Sequence, residues 1–113
     1  MLAVRAALVV LGSALVVPAL AQEGATVEHG RQVFAYWCAP CHAPGPKHPG
    51  TQALEALYKG SKPAPLEQRM DLVPTVTQTF VRTGASVMPP FRKTEISDAD
   101  LAALAAYLAP RAP

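Results

Sequence analysis

The chain has 113 residues, ten of them basic and eight acidic, and half of them hydrophobic. That length holds one small domain. The near-balance of charge excludes nucleic acid as a partner, because phosphate binding needs a clustered basic face.

The chain opens with one positive charge, Arg5, and an almost wholly apolar run over residues 6–17, interrupted only by Gly12 and Ser13. Pro18, Ala19, Leu20 and Ala21 then place small residues at the third and first positions before Gln22. This three-part pattern predicts a secretory signal peptide over residues 1–21. The rival reading is a retained anchor, but the apolar run is well short of the ~20 residues a bilayer requires. The expected mature chain, residues 22–113, is exported to the periplasm and carries no membrane span. Without Arg5 it holds nine basic and eight acidic residues.

Residues 22–25 read as a frayed start. Over 26–37, Val27, Val33, Phe34 and Trp37 share one side with Gly30 at helical spacing, which predicts a helix. Glycine costs a helix about 1 kcal/mol relative to alanine, so Gly30 points to a second helix crossing closely. Residues 43–50, with three prolines and two glycines, form an irregular loop. Thr51 then caps a short helix with Leu54, Leu57 and Tyr58 on one face and Gly60 at its end. One further turn is expected over 66–72. Pro74 starts a helix through Arg82 with Val73, Val76 and Phe80 as its apolar side, and Gly84 caps it. Residues 85–95 are a loop. Ser97 and Asp100 approximate a capping box for a last helix, with Leu101, Leu104, Ala105 and Leu108 on one face and Pro110 as its stop. No strand pattern occurs, so the fold class is all-α: three to four short helices and long loops. Large apolar side chains are too few for a comfortable core at this size. A metal or a large apolar cofactor is expected at the centre.

The two cysteines explain what that guest is. An exported pair of cysteines is a disulfide by default. Cys38 and Cys41, however, are only three residues apart, and closing so small a loop gains little. A thioredoxin-like dithiol would come after a strand, and a zinc site would need further ligands. The stretch C-A-P-C-H over 38–42 instead has the spacing for covalent haem attachment. Cys38 and Cys41 join the two vinyl groups of one haem c, and His42 supplies an axial nitrogen to the iron.

The candidates for the opposite ligand are Met70, Met88, His29 and His48. Met70 reads as an ordinary core or boundary methionine. His29 precedes the motif too closely, and His48 belongs to the proximal side. Met88 lies 46 residues beyond His42, in a loop stiffened by Pro89 and Pro90, and is the expected ligand. Leu54, Leu57, Val76, Phe80, Val87 and Phe91 are the expected lining, and core and haem pocket are expected to coincide. Tyr58, Lys59 and Arg82 are candidates for the haem propionates. Arg92 and Lys93 are either a steering pair for an acidic partner or a solvated pair.

These features resemble the small bacterial class I cytochromes c: Gly30 and Phe34, the 38–42 motif, Met88-Pro89, and a last helix ending in Tyr107-Leu108. The resemblance covers residues 26–109. It implies that the first and last helices cross near Gly30, with Phe34 and Tyr107 close to the contact. It also implies that a proline carbonyl, of Pro46 or Pro49, accepts the Nδ1 proton of His42. Residues 87–108 are more narrowly similar to cytochrome subunits of the p-cresol methylhydroxylase and eugenol hydroxylase type. That similarity implies an FAD-dependent dehydrogenase as electron donor, with another cytochrome, a cupredoxin or a terminal oxidase as acceptor. The expected function is one-electron transfer through a six-coordinate haem. The alternatives are an open-site haem enzyme, peroxidase-like or gas-binding, and a structural haem subunit of a flavoprotein complex.

Overall fold

The structure, a computed structural model, describes residues 19–110. Most of the predicted signal segment, residues 1–18, therefore lies outside the described residues. Helix α1 (Ala19–Val33) leads into a π-helical turn (Phe34–Cys38) and directly into α2 (Ala39–His42). Then come α3 (Pro49–Tyr58), a 3₁₀ turn (Leu66–Gln68), α4 (Pro74–Thr83) and α5 (Asp98–Leu108). Among the described residues there is no strand, and no helix is long and apolar enough to cross a membrane. The all-α expectation holds.

Helix α1 starts earlier than residues 22–25 suggested. Ala19, Leu20, Ala21, Gln22 and Glu23 are all good helix formers, and together they carry the helix through Gly24. The close crossing read from Gly30 is present. A Cβ at Gly30 would lie 2.0 Å from the Ala103 carbonyl oxygen and 2.8 Å from the Tyr107 Cβ. Helix α5 thus runs over the bare backbone of α1. Phe34 and Tyr107 pack beside this crossing with ring centroids 5.8 Å apart.

The core lies where α1, α4 and α5 meet: Val33, Phe34, Leu72, Val81, Ile96, Leu101, Leu104 and Leu108. On α5 the predicted face is buried, and Ser97 caps the helix by accepting from the Asp100 amide at 3.0 Å. Its hydroxyl donates in turn to the Asp100 carboxylate at 2.8 Å. Ile96 is fully buried, a core residue that the helical stripes do not include. A local signal does mark it: Ile96 just before the cap and Leu101 in the first turn hold the positions of a hydrophobic staple.

Two helix readings change. Helix α3 begins at Pro49 after His48, so Thr51 is an interior residue, fully buried, and not a cap. Proline at the first helical position wins because its missing N–H costs nothing there. On α4 the buried residues are Thr77 and Val81, whereas Val73 and Phe80 are about half exposed. Helix α4 therefore has two faces with apolar residues, one packed and one bare.

His29 on α1 donates to the Asp100 carboxylate at 2.6 Å and ties α1 to the start of α5. Hydrogen bonds from His29 first and from Ser97 second hold the Asp100 carboxyl below its usual range. A carboxyl depressed in the folded state stabilises the fold above its unfolded value and loses that contribution as pH falls. The denaturation midpoint is expected to drop as pH falls below about 4, and Asp100→Asn should flatten part of that slope. The effect is modest, because the pair is exposed and screened. Urea titrations across pH check it; an unchanged slope in Asp100→Asn would rule it out.

Candidate functional site

The π-helical turn inserts an extra residue into the helical path just before the cysteines and so re-aims the motif. Cys38 is half-buried against the core, Cys41 is exposed, and both thiols are free. Burial, with the neighbouring Cys41 second, pushes the Cys38 thiol up to about 12. That is the reverse of the lowered thiol that a dithiol catalyst needs. Burial also pushes the His42 imidazole down, toward the neutral form that binds a metal.

The first turn of α3 closes on this segment. The ring of His48 donates from Nδ1 to the Pro40 carbonyl at 3.0 Å. The Thr51 hydroxyl donates to the Ala43 carbonyl at 2.8 Å, and the Gln52 side-chain amide donates to the Pro46 carbonyl. Between them Gly50 lies against the His42 ring: a Cβ there would be 2.7 Å from Cε1 and 2.9 Å from Nδ1. The Nδ1 atom of His42 is buried and has no hydrogen-bond partner. The expected proline carbonyl is therefore supplied by neither candidate. Pro46 accepts from Gln52, and Pro49 opens α3.

Met88 sits at the end of a tight turn. Its backbone exchanges two hydrogen bonds with Ala85, at 2.9 and 3.0 Å, and Ser86 takes a positive φ of 52°. Gly84 ends α4 at φ +69°, and a Cβ there would meet the Met88 carbonyl oxygen at 2.6 Å. The Phe91 amide donates to the Val81 carbonyl at 2.8 Å. Trp37, next to Cys38, meets Phe91 edge to face at 5.7 Å. This contact brings the Met88 loop against the segment that bears the cysteines, although 46 residues separate Met88 from His42.

The expected lining divides between the core and the exposed surface. Leu57 is 70% exposed, Phe80 48% and Val87 91%, while Leu54, Val76 and Phe91 are half-buried. Val73 and Phe80 stand exposed at the start and on the far side of α4, whereas Val76 packs against the core. Val76 and Phe91 thus belong to the packed core, and Leu57, Phe80 and Val87 stand outside it.

The other candidates are engaged elsewhere. His29 holds Asp100, His48 holds the Pro40 carbonyl, and Met70 is 70% exposed and so not a core residue. The Tyr58 hydroxyl accepts from Arg69, whose guanidinium also pairs with Asp71 at 2.7 Å. Arg82 bonds the carbonyls of Phe91 and Ile96 and pairs with Asp98, so it braces the 91–98 segment. Lys59 takes the left-handed conformation that ends α3. Arg92 pairs with Glu95, and Lys93 shares Asp98 with Arg82, while both side chains stay exposed.

The model of a family described as cytochrome C oxidase, cbb3-type, subunit III matches residues 25–108. The chain belongs to this family. It is a c-type cytochrome, a haem-based electron carrier, and its family implies covalently bound haem c. No curated protein and no solved structure matches it. The residues present fit that group. The cytochrome offers two free thiols at the attachment spacing, an imidazole that burial holds toward its neutral form, and several large apolar side chains left outside its core.

Proposed function

We propose that the protein is a periplasmic one-electron carrier with a single haem c, exported by the signal segment 1–21 and matured as residues 22–113. Cys38 and Cys41 hold the haem covalently, and His42 and Met88 are its axial ligands. When bound, the haem supplies a reversible one-electron couple, and a thioether opposite an imidazole favours the reduced state.

The observation that carries this reading is the attachment motif itself: two free thiols three residues apart, with the half-buried His42 directly after them. Side chains such as Leu57, Val73, Phe80 and Val87 are left bare in a chain otherwise short of core. Exposed large apolar side chains are what a large apolar group would cover. They belong to α3, α4 and the Met88 loop, all of them C-terminal to the motif. These side chains would exclude water, while His42 and Met88 would keep both axial positions filled and limit reorganisation between oxidation states. Gly84 and the Ala85–Met88 turn hold the Met88 backbone in place.

The donor we infer is an FAD-dependent dehydrogenase of the alkylphenol type, on the similarity of residues 87–108 to the cytochrome subunits of such enzymes. A reduced flavin would pass its two electrons in two single steps. The acceptor would be another cytochrome, a cupredoxin or a terminal oxidase.

Purified periplasmic protein is expected to keep its haem through acid–acetone extraction. It should be reduced by a substrate-reduced alkylphenol flavodehydrogenase in a stopped-flow mixture. Haem lost on extraction would refute covalent attachment, and a haem that stays oxidised in the mixture would refute the inferred donor.

A further inference from the structure

We propose that Gly50 is a positioning residue for the axial imidazole: its missing side chain lets the first turn of α3 press directly on His42 and fix the plane of the ring. This rests on the reading of His42 as an iron ligand.

His42 ends the short helix α2, and no hydrogen bond holds its Nδ1. An imidazole ligand is usually oriented by the partner of its second nitrogen. No protein group bonds Nδ1 here, and packing meets that edge of the ring. The neighbour on that edge is Gly50, so close that a Cβ would fall 2.7 Å from Cε1, 2.9 Å from Nδ1 and 2.7 Å from the Cys41 carbonyl oxygen. None of these contacts is with the far end of a flexible chain. One is with backbone, and two are with the ring of a residue that belongs to the motif itself.

The turn that carries Gly50 is itself fixed. His48 is bonded to Pro40, Thr51 to Ala43 and Gln52 to Pro46. These three bonds reach both sides of His42 in sequence. Thr51 is fully buried, so its hydroxyl bond is shielded from water. The α3 turn therefore cannot retreat freely, and any side chain at residue 50 must turn or displace the ring. The plane of an axial imidazole sets how its orbitals mix with those of the iron, and hence the pattern of unpaired spin around a ferric haem.

The test uses the holoprotein. In Gly50→Ala the four haem-methyl proton resonances of the oxidised protein are expected to change their order or spread, with a shift in midpoint potential. Gly60→Ala is the control. Gly60 has φ +82° and nothing near its Cβ position, so alanine strains the backbone there without touching His42. It should lower the melting temperature and leave the methyl pattern and potential unchanged. Thr51→Val, which removes the buried bond that holds the same turn, should shift the pattern, and Thr51→Ser should restore it.

If Gly50→Ala does not assemble, the Thr51 pair decides the matter. A methyl pattern in Gly50→Ala, or in Thr51→Val, identical to that of the parent would overturn the positioning role. A parent protein without a low-spin histidine-ligated spectrum would overturn it too, and would be recognised separately as failure of the ligand assignment.

Discussion

Gly30→Ala is expected to destabilise the protein by at least about 3 kcal/mol, the upper end of what overpacking normally costs. Intrinsic propensity points the other way. Alanine is favoured over glycine in a helix by about 1 kcal/mol. The clash should win, because the atom in the way is the Ala103 carbonyl oxygen at 2.0 Å, which belongs to the backbone of α5. Helix α5 cannot yield without also drawing Leu101, Leu104 and Leu108 out of the core. For a domain of this size, 1 kcal/mol corresponds to roughly 4–8 °C of melting temperature, so a fall of more than about 10 °C is expected. Thermal unfolding monitored by circular dichroism checks this. A Gly30→Ala protein as stable as the parent would mean that α1 and α5 do not cross there.

Met88→Ala has the largest expected effect on function. Under the proposed ligation the variant still attaches haem, because Cys38, Cys41 and His42 are intact. It should lose the long-wavelength charge-transfer band of a thioether-bound ferric haem, turn high-spin, and bind added cyanide or carbon monoxide. Its midpoint potential should fall by a sizeable part of the roughly 0.8 V that axial ligands span. Met70→Ala should leave spectrum and potential as they were, because Met70 stands exposed on the segment between the 3₁₀ turn and α4. A charge-transfer band that survives in Met88→Ala and disappears in Met70→Ala would reverse the assignment. A band absent from the parent would favour the open-site alternative.

The readings that hold rest on interactions local in sequence. Ser97 and Asp100 are three residues apart and cap α5 as expected. The stripe from Leu101 to Leu108 needs only the helical period to be seen. Pro74 opens α4 and Gly84 closes it, each by its own backbone restriction. Gly30 is legible for a related reason: a helix bears the cost of a glycine when something must come close.

The readings that fail depend on which neighbour a residue meets. The period alone does not say whether Val73 and Phe80, or Thr77 and Val81, face the protein. Both sets recur at helical spacing, and the decision lies with α5. Threonine favours helix caps, yet Thr51 is buried inside α3 because the Ala43 carbonyl, eight residues back, needs a donor. Arg82 stands as a free charge in the linear chain, and the fold brings Asp98, sixteen residues on, beside it. The π-helical turn has no simple sequence signature, since Phe34, Ala35, Tyr36 and Trp37 all suit an ordinary helix.

The sequence by itself determined the class of this protein: an all-α chain with a C-A-P-C-H stretch spaced as covalent haem attachment requires. Covalent chemistry of that kind depends on spacing along the chain, which the sequence states outright. Only the tertiary structure decided what supports His42. Pro46 and Pro49 are equally placed in sequence, and neither reaches its Nδ1. The edge is met instead by Gly50, because bonds from His48, Thr51 and Gln52 to carbonyls six to eight residues earlier fold α3 back onto the motif. Such contacts arise from packing in three dimensions, to which a linear pattern is blind.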